Sequence, residues 1–291
     1  VIPLGEDEEV ERQLLAALLF KPPMRELASG ENVGTPLAPY QRSLEGWLCM
    51  VSERAVALAP SDPPSTDGER VFLPRALPGP IDVTGDFVLY RAMALIQLGL
   101  LEFGFLGQRG FLVEIHRDWV LRNCYQILAT HYIVHRWPKI WPGMARDFEA
   151  LPGLPKAAVL RVNLTEVPIE GMPDPFLALY EGLLTHPEVT SVSAPPVIAE
   201  ALRAVREVTS DGAAPLVVMG LAQKLRLYFR EQRLGPPPLP WVCGVVRPEW
   251  ILHDLRAEQS RSEEWKQGPK PLSLLRRVVE RKPGGKMNDR V

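Results

Sequence analysis

A chain of 291 residues has room for one large domain or two ordinary ones, and 46% hydrophobic with 23% charged residues is the make-up of a globular protein. A formal net charge of −2 and a pI of about 6.3 argue against a nucleic-acid surface or one that gathers anionic lipid. Three scattered cysteines, Cys49, Cys124 and Cys243, fit a reducing cytoplasm better than a disulfide framework.

The chain opens VIPLGEDEEVERQ, acidic where a secretory leader would be basic. Val1 at one end and GGKMNDRV at the other read as the limits of a piece of a longer protein. The 30 prolines are about twice the average share. They cluster at Pro22-Pro23, Pro63-Pro64, Pro236 to Pro238 and Pro240, and they divide the chain because proline does not sit in a helix interior.

Most segments between prolines have helical period. EDEEVERQLLAALLF puts Val10, Leu14 and Leu18 on one stripe, with acids in the first turn where the helix dipole favours them. YQRSLEGWLCMVSERAVALA, residues 40–59, aligns Leu44, Leu48, Val51 and Ala55. Asp174-Pro175 reads as a cap followed by proline at the first helical position, opening FLALYEGLLTH. PVIAEALRAVREV aligns Ile198, Leu202 and Val205, and LVVMGLAQKLRLYF aligns Val217, Leu221, Leu225 and Tyr228. Strand signals are confined to VFLP (71–74) and AVLRVNL (158–164). The expectation is a mainly α fold: a multi-helix globular domain over 1–232 with at most short strands. Residues 233–291 then read as a Pro-rich, charged linker or tail. In it LGPPPLPW is extended, RPEWILHDLRAEQSRSEEWKQGPK is poor in apolar residues, and SLLRRVVERK is a last short helix.

FVLYRAMALIQLGLLEFGFL, residues 87–106, is nearly uncharged and helical in length, yet it keeps Arg91, Gln97 and Glu102, with Gly99 in its middle. Those polar residues read first as buried contacts that fix helix packing, each binding a different helix.

Common catalytic signatures are missing. The chain has no phosphate-cradling glycine loop with Lys and Ser/Thr, no Gly-x-Ser-x-Gly, no His-Glu-x-x-His and no Cys-x-x-Cys. Only His131 and His135, in THYIVHRW, have ligand spacing, four apart on one helix face. They read as an ordinary polar face near Arg136. The alternative is a helical metal-dependent enzyme using them with Asp118 or Glu114. The aromatic pair in WPKIWPGM, Trp137 and Trp141, reads as core packing at a bend fixed by Pro138 and Pro142; a partner's anchor site is the other possibility.

YRAMALIQLGLLEFGFL resembles the pattern Tyr-Arg-x-Met-Ala-x-His-Gln-x-Gly-His-x-Glu-Phe-Gly-Thr-Phe. That pattern belongs to the N-terminal region of bacterial adaptor proteins that end in a von Willebrand factor A domain and work with MoxR-type AAA+ ATPases. The match rests on Tyr90, Arg91, Gln97, Gly99, Glu102, Phe103 and Gly104. Three further stretches follow in order: VFLPRAL before the motif; WPGMARDFE, with Trp141, Pro142 and Gly143; and PPLPWVCGVVRPEWIL, with Arg247, Pro248 and Glu249. The resemblance spans roughly 70–255. Where the family pattern has two histidines this chain has Ile96 and Leu100, and where it carries a Glu-Asp pair this chain has about Ala129 and Thr130. A polar cluster replaced as a unit would leave no isolated buried charge.

The resemblance implies a non-enzymatic, chaperone-like adaptor of the cytoplasm, without a cofactor of its own. Its partners would be a hexameric MoxR-type AAA+ ATPase and a target enzyme: rubisco, relieved of inhibitory sugar phosphates, or, second, nitric-oxide reductase during maturation. The target would be met through the von Willebrand domain, whose Asp-x-Ser-x-Ser metal motif does not occur in these residues. Neither nucleic acid nor membrane insertion is expected. Glu6 to Glu9 and Asp67 to Arg70 are polar candidates for the ATPase contact, beside the reading as solvated faces.

Overall fold

A computed structural model describes residues 35–52, 55–77, 83–149, 151, 172–180, 183 and 194–252. The expected helix at 6–20, the strand at 158–164 and the helix at 273–282 lie outside them. The described part is mainly α. Its helices are α1 (Ala38–Ser52), α2 (Val83–Glu102), α3 (Arg109–Arg117), α4 (Trp119–Ile140), α5 (Ala145–Glu149), α6 (Asp174–Leu179), α7 (Pro196–Glu207) and α8 (Ala214–Glu231). Four short strands, β1 (Ala57–Pro60), β2 (Ser65–Thr66), β3 (Arg70–Leu73) and β4 (Val245–Val246), form one sheet in the order β1-β3-β2-β4. β1 runs parallel to β3, β2 antiparallel to β3, and β4 parallel to β2 with Ser65 opposite Val245.

Two helices make the centre. Every residue of α2 from Leu89 to Leu100 is buried, as is every residue of α4 from Asn123 to Val134. α2 is apolar on nearly every side, as a core helix is, whereas α4 buries Asn123, Gln126, Thr130 and His131 as well, each with a hydrogen-bond partner. Asp118 starts α4 by accepting the Leu121 amide on its side chain at 3.1 Å, satisfying one orphan donor of the first turn. α2 stops at Gly104, whose φ of 74° is the left-handed turn that glycine takes at no steric cost. α7 and α8 lay amphipathic stripes against the centre, Ile198, Leu202 and Val205 from one and Val218, Leu221 and Leu225 from the other. The turn between them is pinned to α4: Arg136 grips Asp211 through two bonds of 2.6 and 3.0 Å, and Tyr132 donates to the same carboxylate.

The structure corrects four expectations. The helix read over 40–59 ends at Ser52, and Ala57–Pro60 is a strand. Exposure alternates from Ala55 to Leu58, a period of two that the helical reading overran. α1 then clamps that strand, with Glu45 accepting the Leu58 amide and Gln41 donating to the Leu58 carbonyl, each at 3.0 Å. Asp174 is the first residue of α6 and makes no capping bond; Pro173 holds the cap position. Pro138 lies inside the last turn of α4 rather than ending it, so Trp137 is core while Trp141 emerges 43% exposed. Residues 233–249, read as the start of the tail, pack with the preceding helices in a compact unit that runs to Glu249.

That last correction has a physical cause. Residues 235–246 are not a linker but a strap bound into the core, extended apart from a 3-10 turn at Trp241–Cys243, with Pro237, Leu239, Pro240, Trp241 and Cys243 buried. Proline has no N–H, so a buried proline-rich strap leaves mainly carbonyls to satisfy. Helix side chains supply the donors. Asn123 reaches the Pro237 carbonyl at 2.8 Å and Tyr180 bonds the Pro238 carbonyl. Trp241 is anchored by its indole N–H to Asp62 at 2.9 Å, and Val245 by its amide to the Pro64 carbonyl at 2.8 Å.

Candidate functional site

The four stretches that carry the resemblance meet at α2. Tyr90, wholly buried, directs its hydroxyl at the carbonyls of Thr35 (2.9 Å) and Pro74 (3.3 Å), the latter in the VFLPRAL stretch. Arg91, one residue on, crosses to the WPGMARDFE stretch and meets Asp147 at 2.8 Å. Pro142, Gly143 and Met144 form the 3-10 turn that leads into α5, and α5 carries Asp147 inward. Gln97 turns to the strap and donates to the Cys243 carbonyl at 2.9 Å. One helix thus ties the end of β3, the α4–α5 corner and the strap.

The Arg91–Asp147 pair is buried on both sides, with 9% and 5% of the side chains exposed. The guanidinium also lies over the Trp47 ring, 4.5 Å from its centroid, and within 5.8 Å of that of Phe87. Beside it is a small apolar cleft lined by Ser43, Leu44, Trp47, Phe87 and Arg91. Burial disfavours both charges. It lowers the Arg91 pKa, with Asp147 opposing, and it pushes the Asp147 carboxyl up to about 6 against the pull of Arg91.

The strap is held by a shared acceptor. Gln126 of α4 donates to the same Cys243 carbonyl at 2.7 Å, so both lone pairs of that oxygen are used, one by each core helix. Gly244 follows with φ 67°, and a Cβ there would overlap the Gln97 amide and stand 2.5 Å from the Pro64 carbonyl. Burial pushes the Cys243 thiol up to about 12, which makes it a packed group and not a nucleophile at neutral pH.

Gly99 faces α4. A Cβ at this position would stand 2.5 and 2.9 Å from Ile133 carbons and 3.1 Å from the Trp137 indole nitrogen. Trp137 uses that nitrogen to donate to the Leu95 carbonyl at 3.0 Å. Phe103 closes the end of the contact, edge-on to Tyr132 at 5.5 Å and tilted on Trp137 at 4.9 Å. Glu102 is exposed, and so are Trp141, Pro142 and Gly143. Pro248 is buried, Arg247 half-buried, and Glu249 lies 3.8 Å from His116. Ile96, Leu100, Ala129 and Thr130, where the family pattern would have histidines and acids, are all buried; Thr130 bonds back to the Gln126 carbonyl at 2.8 Å.

The histidine pair is not assembled into a metal centre. His131 is fully buried and its Nε2 donates to the Leu179 carbonyl at 2.8 Å; His135 donates from Nδ1 to the His131 carbonyl at 2.9 Å. Desolvation lowers the His131 pKa to about 3 and lowers that of His135 as well. Asp118 sits 13 positions before His131 on the same helix, about 20 Å away at 1.5 Å per residue. It is engaged by Arg226 and Arg230, while Glu114 accepts from Gln223. Among the described residues no group of three or more His, Cys, Asp or Glu side chains is gathered as a metal would need.

Asp147, Asn123 and Gln126 are the site residues that sequence reasoning missed. A charged Arg91 inside an apolar run demands an anion. With 35 acidic residues in the chain, the sequence does not say which one answers. Among the described residues no helix is long and apolar enough to cross a membrane. Comparison of the chain with protein-family models, with curated proteins and with solved structures returns no match.

Proposed function

We propose that this chain is the non-enzymatic N-terminal part of an adaptor. It docks on a hexameric MoxR-type AAA+ ATPase and couples the ring to a target enzyme, rubisco first and nitric-oxide reductase second. The ATPase supplies the energy; a downstream von Willebrand factor A domain meets the target. The observation that carries the reading is the meeting of the four resembling stretches at α2, through Tyr90–Pro74, Arg91–Asp147 and Gln97–Cys243. Stretches far apart in sequence that interlock in space form one unit, which is what a shared family core requires.

The test is direct. The purified chain is mixed with the cognate MoxR-type ATPase and with a noncognate one, and co-elution and ATP turnover are measured. The expected result is a changed turnover or a complex with the cognate ring alone, and no ATP hydrolysis by the chain itself. If neither this chain nor the longer protein that contains it binds the ring or alters its rate, the reading fails.

A further inference from the structure

The α3–α4 junction and the second half of α8 make a face that the adaptor reading does not use. Trp119 opens α4 and is 63% exposed. Arg122, one turn on, lies over its ring with the guanidinium carbon 4.4 Å from the centroid. Next to them, Asp118 Oδ2 accepts from Arg226 at 3.3 Å and from Arg230 at 2.6 Å, while its Oδ1 is spent on the Leu121 amide. One carboxylate therefore answers two guanidinium groups, and positive charge is left over. Arg230 remains 56% exposed. Residues 109–122 and 223–233 hold seven lysines and arginines against Glu114, Asp118 and Glu231, with Glu249 beside His116 and Arg122 and Glu200 beside Lys224, which still leaves a basic surplus in a chain whose net charge is −2. Val113 and Leu227, 36% and 53% exposed, add apolar surface on the same two helices.

We propose that this face binds an acidic segment of a partner protein, with an apolar side chain of the segment packed on Trp119 and its carboxylates on Arg117, Arg122 and Arg230. Tryptophan and arginine are the side chains that most often anchor interfaces, and an arginine already stacked on an aromatic ring holds its donor fork ready for a carboxylate. Charge decides between partners. Glu114 and Asp118 on these elements, and Glu249 beside His116, would repel a continuous polyphosphate, whereas a peptide can space its acids around them. The inference stands whether or not the partner is an ATPase ring.

Fluorescence anisotropy on the full chain tests it with labelled peptides of about 15 residues: one rich in Asp and Glu around a central Leu-Phe, one with Lys in place of the acids, and an oligo-dT of similar length. The acidic peptide should bind, and should weaken about tenfold between about 50 and 300 mM salt. Trp119→Ala should weaken it at least about tenfold, as loss of a central anchor does. Arg117→Glu, at an exposed helix end, should weaken it as well, and gives a second reading should Trp119→Ala lower the melting temperature. No binding of the acidic peptide, binding indifferent to both substitutions, or equal binding of the oligo-dT would overturn the proposal.

Discussion

A methyl group at position 99 has no room. The ideal Cβ would lie 2.5 Å from Ile133 Cγ2 and 2.9 Å from its Cγ1, against the 3.5–4.0 Å at which carbons rest. Alanine is about 1 kcal/mol better than glycine in a helix interior. Overpacking a tight core costs about 1–3 kcal/mol, and both neighbours here are fixed: Ile133 is fully buried and Trp137 is held by its bond to the Leu95 carbonyl. Gly99→Ala should therefore lose about 1 kcal/mol net, lowering Tm by about 2–4 °C, and Gly99→Leu should lose considerably more. Urea unfolding followed by circular dichroism measures both. The geometry also predicts the rescue. Ile133→Val keeps both γ carbons and should not relieve Gly99→Ala. Ile133→Ala removes both and should show a favourable coupling of about 1 kcal/mol in a double-mutant cycle. A Gly99→Ala protein that melts at or above the wild-type temperature would refute the close α2–α4 approach.

The strap and the buried histidine give two further tests. Gln97→Leu or Gln126→Leu alone leaves the Cys243 carbonyl one donor and should cost about 1 kcal/mol; the double variant leaves it none and should cost more than the sum, and additive losses in urea unfolding would count against a shared acceptor. His131 has a folded pKa of about 3, below its unfolded value of 6.5, so its contribution is present above 6.5 and is lost as pH falls toward 3. The stability difference between wild type and His131→Gln should shrink over that window by up to about 1.4 kcal/mol per pH unit. Asp147, raised to about 6, titrates in the opposite sense, stabilising below 3.8 and ceasing to as pH rises through 6, but it is common to both proteins and cancels. A difference independent of pH between 6.5 and 4 would contradict the buried neutral imidazole.

Much of the helical layout was legible because stripes such as Ile198, Leu202 and Val205 repeat with the helix period, and these three are all buried. The reading of Arg91 and Gln97 as polar residues that fix packing was legible too, since an isolated polar group in an apolar run must find a partner. The partners were not. Arg91 and Asp147 stand 56 positions apart, Gln97 and Cys243 146 apart, and no local pattern encodes such a pairing. The strap was misread for a more specific reason. Proline-rich, extended sequence is the composition of linkers. It is also the composition that can be buried with few orphan amides, once helices offer Asn, Gln and Tyr side chains to its carbonyls. Only the positions of Asn123, Gln126 and Tyr180 separate the two cases, and those are set by the tertiary fold.

The same geometry decides how function can be probed. Tyr90, Arg91, Gln97 and Gly99 are all wholly or nearly buried, and each holds or abuts a different part of the core. A buried ion pair such as Arg91–Asp147 is weak evidence for stability in itself, because desolvation can exceed the attraction, yet removing one partner strands the other charge at a cost of about 3–5 kcal/mol. Substitution at these positions therefore acts through the fold. A lost partner interaction in such a variant would not locate the partner's surface, since the end of β3, the α4–α5 corner and the strap loosen together. Contact has to be sought where side chains meet solvent, at Glu102, Trp119 and Trp141. There a substitution can remove binding while the core, and the melting temperature that reports on it, stays where it was.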